Sequence, residues 1–209
     1  MEKLQELLME YNRRHESDGP EWHRQFCLGP FPRYWSVVYD ILASKQRGLS
    51  VAEVGCGYGD VGAIPLYLGY TNVVAFERDE DLASRANQKF ASLFSRRVAL
   101  AVDARQATDA VDVLIMVNCV YADGVGSGKD YLERLRALYE RFGRPSTFIY
   151  EGVTFAPEKR RDVFPEYVWV DSSDIAKTFP ESTVRESETY CYPNNSSSKR
   201  IFNIERRIA

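Results

Sequence analysis

The densest chemical signal in the chain lies in ten residues. In VAEVGCGYGD, residues 51–60, glycines stand at every second position, Gly55, Gly57 and Gly59, with Glu53 ahead of the first and Asp60 directly after the third. Glycines between a strand and a helix let the backbone turn sharply and bring its amides against a ligand at the helix N-terminus. In the dinucleotide-binding form of this turn, G-x-G-x-x-G, the third glycine falls one position later, where this chain has Asp60. Two carboxylates a few ångströms from a pyrophosphate would weaken its binding by about a kcal/mol or more. The loop therefore favours a cationic ligand without phosphate. Glu77 lies about 20 residues past Gly55, the spacing at which an acid accepts from both hydroxyls of a ribose. Asp103 either accepts from the exocyclic amine of a base or caps the turn that follows it. Cys56, between two of the glycines, reads as a small filler or as a thiolate nucleophile, and the flanking acids, which raise a thiol's pKa, favour the filler.

These residues need elements that bring them to one edge. Leu4, Leu7, Leu8 and Tyr11 follow helical spacing, so residues 2–14 read as an amphipathic helix. A second helix is expected over residues 33–44. From Leu49 onward strands (49–55, 72–79, 97–103, 111–121, 146–153) alternate with helices (60–70, 79–94, 128–143), the first of these helices capped by Asp60. That alternation marks a parallel sheet covered on both faces. After Pro165 the helical pattern fades, and EYVWV (166–170), TVRESETYCY and RIFNIERRI read as strands. The last two, joined by the short polar turn PNNSSSK, must be antiparallel. The expected fold class is α/β, a doubly wound, mostly parallel seven-stranded sheet with a C-terminal antiparallel hairpin. A single domain of 1–209 is expected, with an N-terminal helical lid over 1–48 and a core over 49–209. Glu53, Glu77 and Asp103 then end three successive parallel strands, on the carboxyl side where open α/β sheets bind ligands.

Composition narrows the partners. The chain has 209 residues, 44% of them hydrophobic, within the size at which one core still makes one domain. With 27 Lys plus Arg against 30 Asp plus Glu, the net charge of -3 supplies no field for phosphate backbones, so nucleic acid is not expected as a partner. The four cysteines lack C-x-x-C spacing and the two histidines, His15 and His23, both fall near the N-terminus, so neither a metal site nor a disulfide framework is expected. No signal peptide and no apolar run of about 18 residues is evident, and a cytoplasmic location without membrane association is expected.

S-adenosylmethionine has what the acids call for: a sulfonium, an ammonium, a ribose diol and an adenine. The EVGCGYG motif, together with Glu77, Asp103 and the strand order, resembles the class I S-adenosylmethionine-dependent methyltransferases over roughly residues 33–209. The resemblance implies that Glu53 fixes the loop and the amino-acid end of the cofactor. It also implies that Gly55, Cys56, Gly57 and Gly59 approach the methionine and ribose, that Glu77 with neighbouring Arg78 holds the ribose, and that Asp103 with the amide of Ala104 meets adenine. The backbone around Asn118 is implied to face the methionine amine.

Acceptor residues are sought after the fourth and fifth strands and in the N-terminal segment. NCVYADG keeps Asn118 and Tyr121 but has Cys119 and Val120 where the methyltransferases of nucleobases and glutamine carry two prolines, which argues against those acceptors. Glu151, in IYEGV, either deprotonates or orients an acceptor or is a solvated strand end, and Asp123 has the same standing. Tyr190 faces either the pocket or the core. In the N-terminal segment, Arg33 is placed to pair with the cofactor's carboxylate and Tyr34 to hydrogen-bond it, while Phe31 or Trp35 would cover the sulfonium through cation–π contact, or simply pack. The expected activity is methyl transfer to an oxygen or nitrogen of a small molecule. The alternative is an enzyme of the same fold that cyclises the cofactor's amino-acid part or transfers an alkyl group, releasing methylthioadenosine. The oligomeric state is not readable from the sequence.

Overall fold

The computed structural model describes residues 1–18, 23–24, 27, 32–107, 109–191 and 197–207. Phe31 and most of the PNNSSSK turn lie outside the described residues. Helices α1 (Glu2–Arg14) and α2 (Arg33–Ala43) are followed by β1 (Ser50–Val54), α3 (Ala63–Tyr67), β2 (Asn72–Glu77), α4 (Glu80–Phe94), β3 (Ala99–Ala101) and β4 (Val113–Met116). Then come α5 (Gly128–Arg141), β5 (Thr147–Phe155), α6 (Ser172–Thr178), β6 (Ser182–Glu186), β7 (Tyr190–Cys191) and β8 (Ser198–Arg206).

The sheet runs β3-β2-β1-β4-β5-β8-β6, with the two-residue β7 also paired to β8, so the strands number eight where seven were expected. Strands β3 to β5 along this path are parallel. β8 lies antiparallel to β5, β6 and β7, which is the expected terminal hairpin.

Strand alternation sorts side chains to two apolar layers. Val113 and Ile115 of β4 and Ile149 of β5 face a layer with α1, α2, α3 and α4. Leu114, Met116, Phe148 and Tyr150 face the other layer, with α5 and α6. This is the double winding read from the sequence. No helix among the described residues is long and apolar enough to cross a membrane.

Several local expectations are corrected. The helix after the glycine loop starts at Ala63 and has no side-chain cap, because the Asp60 carboxylate is engaged elsewhere. EYVWV is a 3-10 turn over Glu166–Val168, with a single bridge between Val153 and Trp169. Pro165, fixed in φ and without an N–H, starts that turn and overrides the β-branched residues that follow. The segment after it is not all strand: α6 is closed by a reciprocal capping box between Asp171 and Asp174, a D-x-x-D signal visible in the sequence. β4 is shorter than expected, since Asn118 turns the chain at φ 55°. In α1 the fully buried residues are Leu4 and Leu8. The next position in their row is a polar one, Asn12, also buried.

Candidate active site

The carboxyl edge of the parallel strands holds a cleft of about 490 Å³, and the glycine loop forms one wall of it. Gly55, Gly57 and Gly59 have φ of 70°, 50° and 76°, the left-handed region that side chains rarely enter. The loop is fastened at its start, where the amides of Gly55 and Cys56 donate to the Phe76 carbonyl at 2.8 and 3.1 Å. A Cβ on Gly55 would also lie 2.9 Å from that of Cys119, so glycine is what lets the chain after β4 pass this close.

Glu77, at the end of β2, accepts from the Gly57 amide at 2.9 Å and from the Asp79 amide at 3.0 Å. Two backbone donors thus fix the orientation of a half-buried carboxylate that lines the cleft. At the far wall Asp103 accepts from the Arg105 amide at 2.8 Å, pairs with its guanidinium at 2.6 Å, and accepts from the Tyr121 hydroxyl. The Arg105 hydrogen bonds outweigh desolvation and, with Tyr121, hold Asp103 well below the usual carboxylate range. Asp103 caps the turn at Ala104, as one of its two readings has it, and it also lines the cleft. Burial and the Asp103 carboxylate push the Tyr121 phenol up to about 12, so it stays a neutral donor.

A narrower pocket shares Gly55, Gly57 and Asn118 with the cleft and runs under Tyr34, Trp35 and Val117. Glu53 lies at its base, 2% exposed, and its Oε2 has no hydrogen-bond partner among the described residues. Burial, then the Asp60 and Glu77 carboxylates, push the Glu53 carboxyl up to about 8. Asp60 behaves oppositely. Burial raises it, but Lys89 Nζ at 2.6 Å and His23 Nε2 at 3.3 Å hold it well below the usual range, and Asn12 Nδ2 donates to it at 3.0 Å. Cys56 is buried beside these acids, and burial followed by Glu53 and Glu77 keeps its thiol protonated.

The structure gathers Glu53, Gly55, Cys56, Gly57, Glu77, Arg78, Asp103, Ala104, Asn118, Tyr121 and Asp123 around these two spaces, whereas Gly59 lines neither and packs against Phe90 instead. Arg78 and Asp123 form an ion pair at the cleft rim. Tyr34 joins them, 1% exposed, whereas Arg33 is exposed and pairs with Glu188 at 2.5 Å. Glu151 is not a solvated strand end. It is 4% exposed, paired with Lys199 Nζ at 2.9 Å, and accepts from Tyr190 Oη at 2.7 Å. Tyr190 in turn stacks on Tyr34 at 6.0 Å, but neither Glu151 nor Tyr190 lines either space.

Sequence reasoning missed Lys89, Asn12, His23 and Lys199. Three of them left a signal: Lys89 follows Ala83 and Ala86 at steps of three in a buried helical row, Asn12 follows Leu4 and Leu8 at steps of four, and Lys199 shares a strand face with Ile201.

No protein-family model matches the chain, and no curated protein matches it by sequence. Solved structures do. Magnesium protoporphyrin IX methyltransferase (ChlM) from Synechocystis, crystallised with bound SAH, aligns at 17% identity and a TM-score of 0.67 over 98% of this chain and 100% of that one. A TehB-like SAM-dependent methyltransferase from Corynebacterium glutamicum aligns at 13% identity and a TM-score of 0.58 over 95% and 100%. The mitomycin 7-O-methyltransferase MmcR aligns at 15% and 0.56, over 95% of this chain but 60% of its own. With the strand order, the hairpin and the glycine loop already described, these likenesses show that the chain has the fold of the class I S-adenosylmethionine-dependent methyltransferases.

Proposed function

We propose that this chain binds S-adenosylmethionine in the two connected spaces at the carboxyl edge of its sheet and methylates an oxygen or nitrogen of a small molecule. The observation that carries this reading is the convergence of Glu53, Glu77 and Asp103 on one glycine-walled site, with one buried Glu53 oxygen still lacking a partner. A buried carboxylate oxygen without a donor is costly, and an ammonium supplies both the donor and the charge. The residues present therefore fit the cofactor. Glu53 takes the ammonium end, Glu77 the ribose diol, and Asp103 with the Ala104 amide the base, while three acids around the loop disfavour a phosphate-bearing ligand.

When bound, the cofactor supplies an electrophilic methyl group on a sulfonium. The chain's own task is to align a nucleophile and accept its proton. Asn118, Tyr121 and Asp123 stand at the cleft for orientation, and Glu151 is the carboxylate we assign to the proton, with the Tyr190 hydroxyl that donates to it taking the acceptor's proton as it passes its own on. A small-molecule acceptor is supported by the departure from the proline-containing motif and by the net charge of -3, whereas the neighbours of this fold divide between small-molecule methyltransferases such as MmcR and PH1948, which is named for RNA methylation. Four free cysteines fit a reducing, cytoplasmic setting.

Product analysis tests the reaction. Incubation with S-adenosylmethionine and a panel of small alcohols, phenols and amines is expected to yield S-adenosylhomocysteine in step with a methylated product. Methylthioadenosine in its place would mean cyclisation or alkyl transfer and would overturn the methyl-transfer reading.

Glu53 gives a pH signature that needs no acceptor. Its carboxyl, ordinarily near 4.5, sits at about 8 in the folded chain, so between those values the folded state holds a proton that the unfolded state has released. The stability of the unliganded protein therefore falls as pH rises through that window. Cofactor binding works against the proton, because an ammonium favours the Glu53 carboxylate. Affinity for S-adenosylmethionine is expected to rise from pH 6 to about 8 and then level off, with proton release in calorimetry at pH 7. Glu53→Gln should flatten the profile. A flat profile in the unsubstituted protein would remove Glu53 from the ammonium site.

A further inference from the structure

Asp60 is where three separate parts of the chain meet the glycine loop. Its Oδ1 accepts from Asn12 Nδ2 of α1 at 3.0 Å and from Lys89 Nζ of α4 at 2.6 Å, and its Oδ2 lies 3.3 Å from His23 Nε2. All four side chains are out of water: Asn12 and His23 are 1% exposed, Lys89 0% and Asp60 7%. The next loop residue but one is gripped as well. Tyr58 stacks on His23 at 4.1 Å, and Lys89 Nζ stands 5.9 Å over its ring. From the other side α4 supplies the floor, since a Cβ on Gly59 would lie 2.6 Å from Phe90 Cζ. The loop is thus clamped between α4 below and the N-terminal segment above, and Asp60 itself lines the narrower pocket.

A helix that served only to cover the core would have no use for a polar residue in its buried row, where a leucine would cost less. Asn12 occupies that place and directs its one described hydrogen bond to the loop. Its Nδ2 is held by Asp60 while its buried Oδ1 has no partner among the described residues, so the link to the loop is what Asn12 contributes, and its loss leaves Asp60 short of a donor.

We propose that Asp60 is a positioning residue that makes α1 and the glycine loop one unit, so that Asn12, which does not line the cofactor spaces, sets affinity for the cofactor. The inference rests on the S-adenosylmethionine reading above and extends it to the N-terminal segment. α1 acts as a cover whose docking and cofactor binding favour each other, and such coupling is reciprocal.

Calorimetry with S-adenosylhomocysteine, together with hydrogen exchange of the α1 amides, tests it. Asn12→Ala and Asn12→Leu are expected to weaken S-adenosylhomocysteine about tenfold, the scale of a coupling of this kind, while keeping a cooperative thermal transition. Combining Asn12→Ala with Asp60→Ala should weaken binding no further than Asp60→Ala alone, because Asp60→Ala already removes the acceptor that Asn12 donates to. In the unsubstituted protein S-adenosylhomocysteine should slow exchange in α1. Unchanged affinity in both Asn12 variants, or effects that multiply in the double variant, would overturn the proposal. Should the Asn12 variants fail to fold, equal α1 exchange with and without S-adenosylhomocysteine in the unsubstituted protein would overturn it on its own. If that protein does not bind S-adenosylhomocysteine at all, the cofactor reading fails instead, a separate and recognisable result.

Discussion

Lys199→Met is expected to cost about 3 to 5 kcal/mol of stability, a fall in melting temperature of roughly 6 to 20 °C for a domain of this size. The Lys199 and Glu151 side chains are each 2% exposed and 2.9 Å apart. Methionine fills similar space but removes the ammonium, leaving the Glu151 carboxylate in a low-dielectric setting without its countercharge. Burial lowers the Lys199 pKa and the Glu151 carboxylate opposes that shift, so the charges depend on each other. Adding Glu151→Gln to Lys199→Met should restore most of the loss, because a neutral amide does not need the ammonium. A thermal melt of the two variants decides it, and a single variant that melts within about 2 °C of the parent would show that the pair is not a stability element. The outcome also governs how Glu151 is tested as a proton acceptor. Loss of turnover in Glu151→Gln alone would mix folding with chemistry, whereas the double variant separates them.

Glu77→Ala is expected to weaken S-adenosylmethionine by about 10- to 100-fold, the equivalent of about 1.5 to 3 kcal/mol for hydrogen bonds to a charged group. Glu77 does two things at once. It presents a carboxylate to the cleft, and through the Gly57 amide at 2.9 Å it holds the loop that forms the facing wall. The change should leave folding nearly intact, because the residue stands at the sheet's edge and the freed amides can rehydrate. Calorimetry beside a thermal melt separates the two effects. A dissociation constant equal to the parent's would remove Glu77 from the cofactor site, and a collapse of the melting transition would make it a structural residue.

What was legible in the sequence is what local pattern encodes. The apolar runs of β1, β2, β4 and β5 and the amphipathic α4 and α5 follow from side-chain period, so the parallel order and both packed layers could be read directly. The spacing of Gly55, Gly57 and Gly59 predicts a sharp backbone turn, and all three have positive φ. Glu53, Glu77 and Asp103 could be placed together because each ends a strand and parallel strands end on one side. The Glu166–Val168 turn was misread because valine and tryptophan favour strands, whereas the preceding Pro165 decides the backbone. α6 was overlooked although Asp171 and Asp174 spell its cap.

The partners of Asp60 and Glu151 are a different matter. Asn12, His23 and Lys89 meet Asp60 from 48, 37 and 29 residues away, and Lys199 meets Glu151 across 48. No local period carries such pairings, so the sequence showed the acids but not their countercharges. That is why the sequence reads Asp60 as a helix cap and leaves Glu151 between a catalytic residue and a solvated strand end.

The central claim is that the glycine loop and the three strand-end acids form one cofactor site. A crystal structure of the protein grown with S-adenosylhomocysteine tests it most directly. In that crystal the ligand is expected to lie across the glycine loop, with its ribose hydroxyls on Glu77, its adenine beside Asp103 and the Ala104 amide, and its ammonium on the buried Glu53 oxygen that lacks a partner among the described residues. Ligand density elsewhere on the molecule, or an empty cleft at saturating S-adenosylhomocysteine, would contradict it.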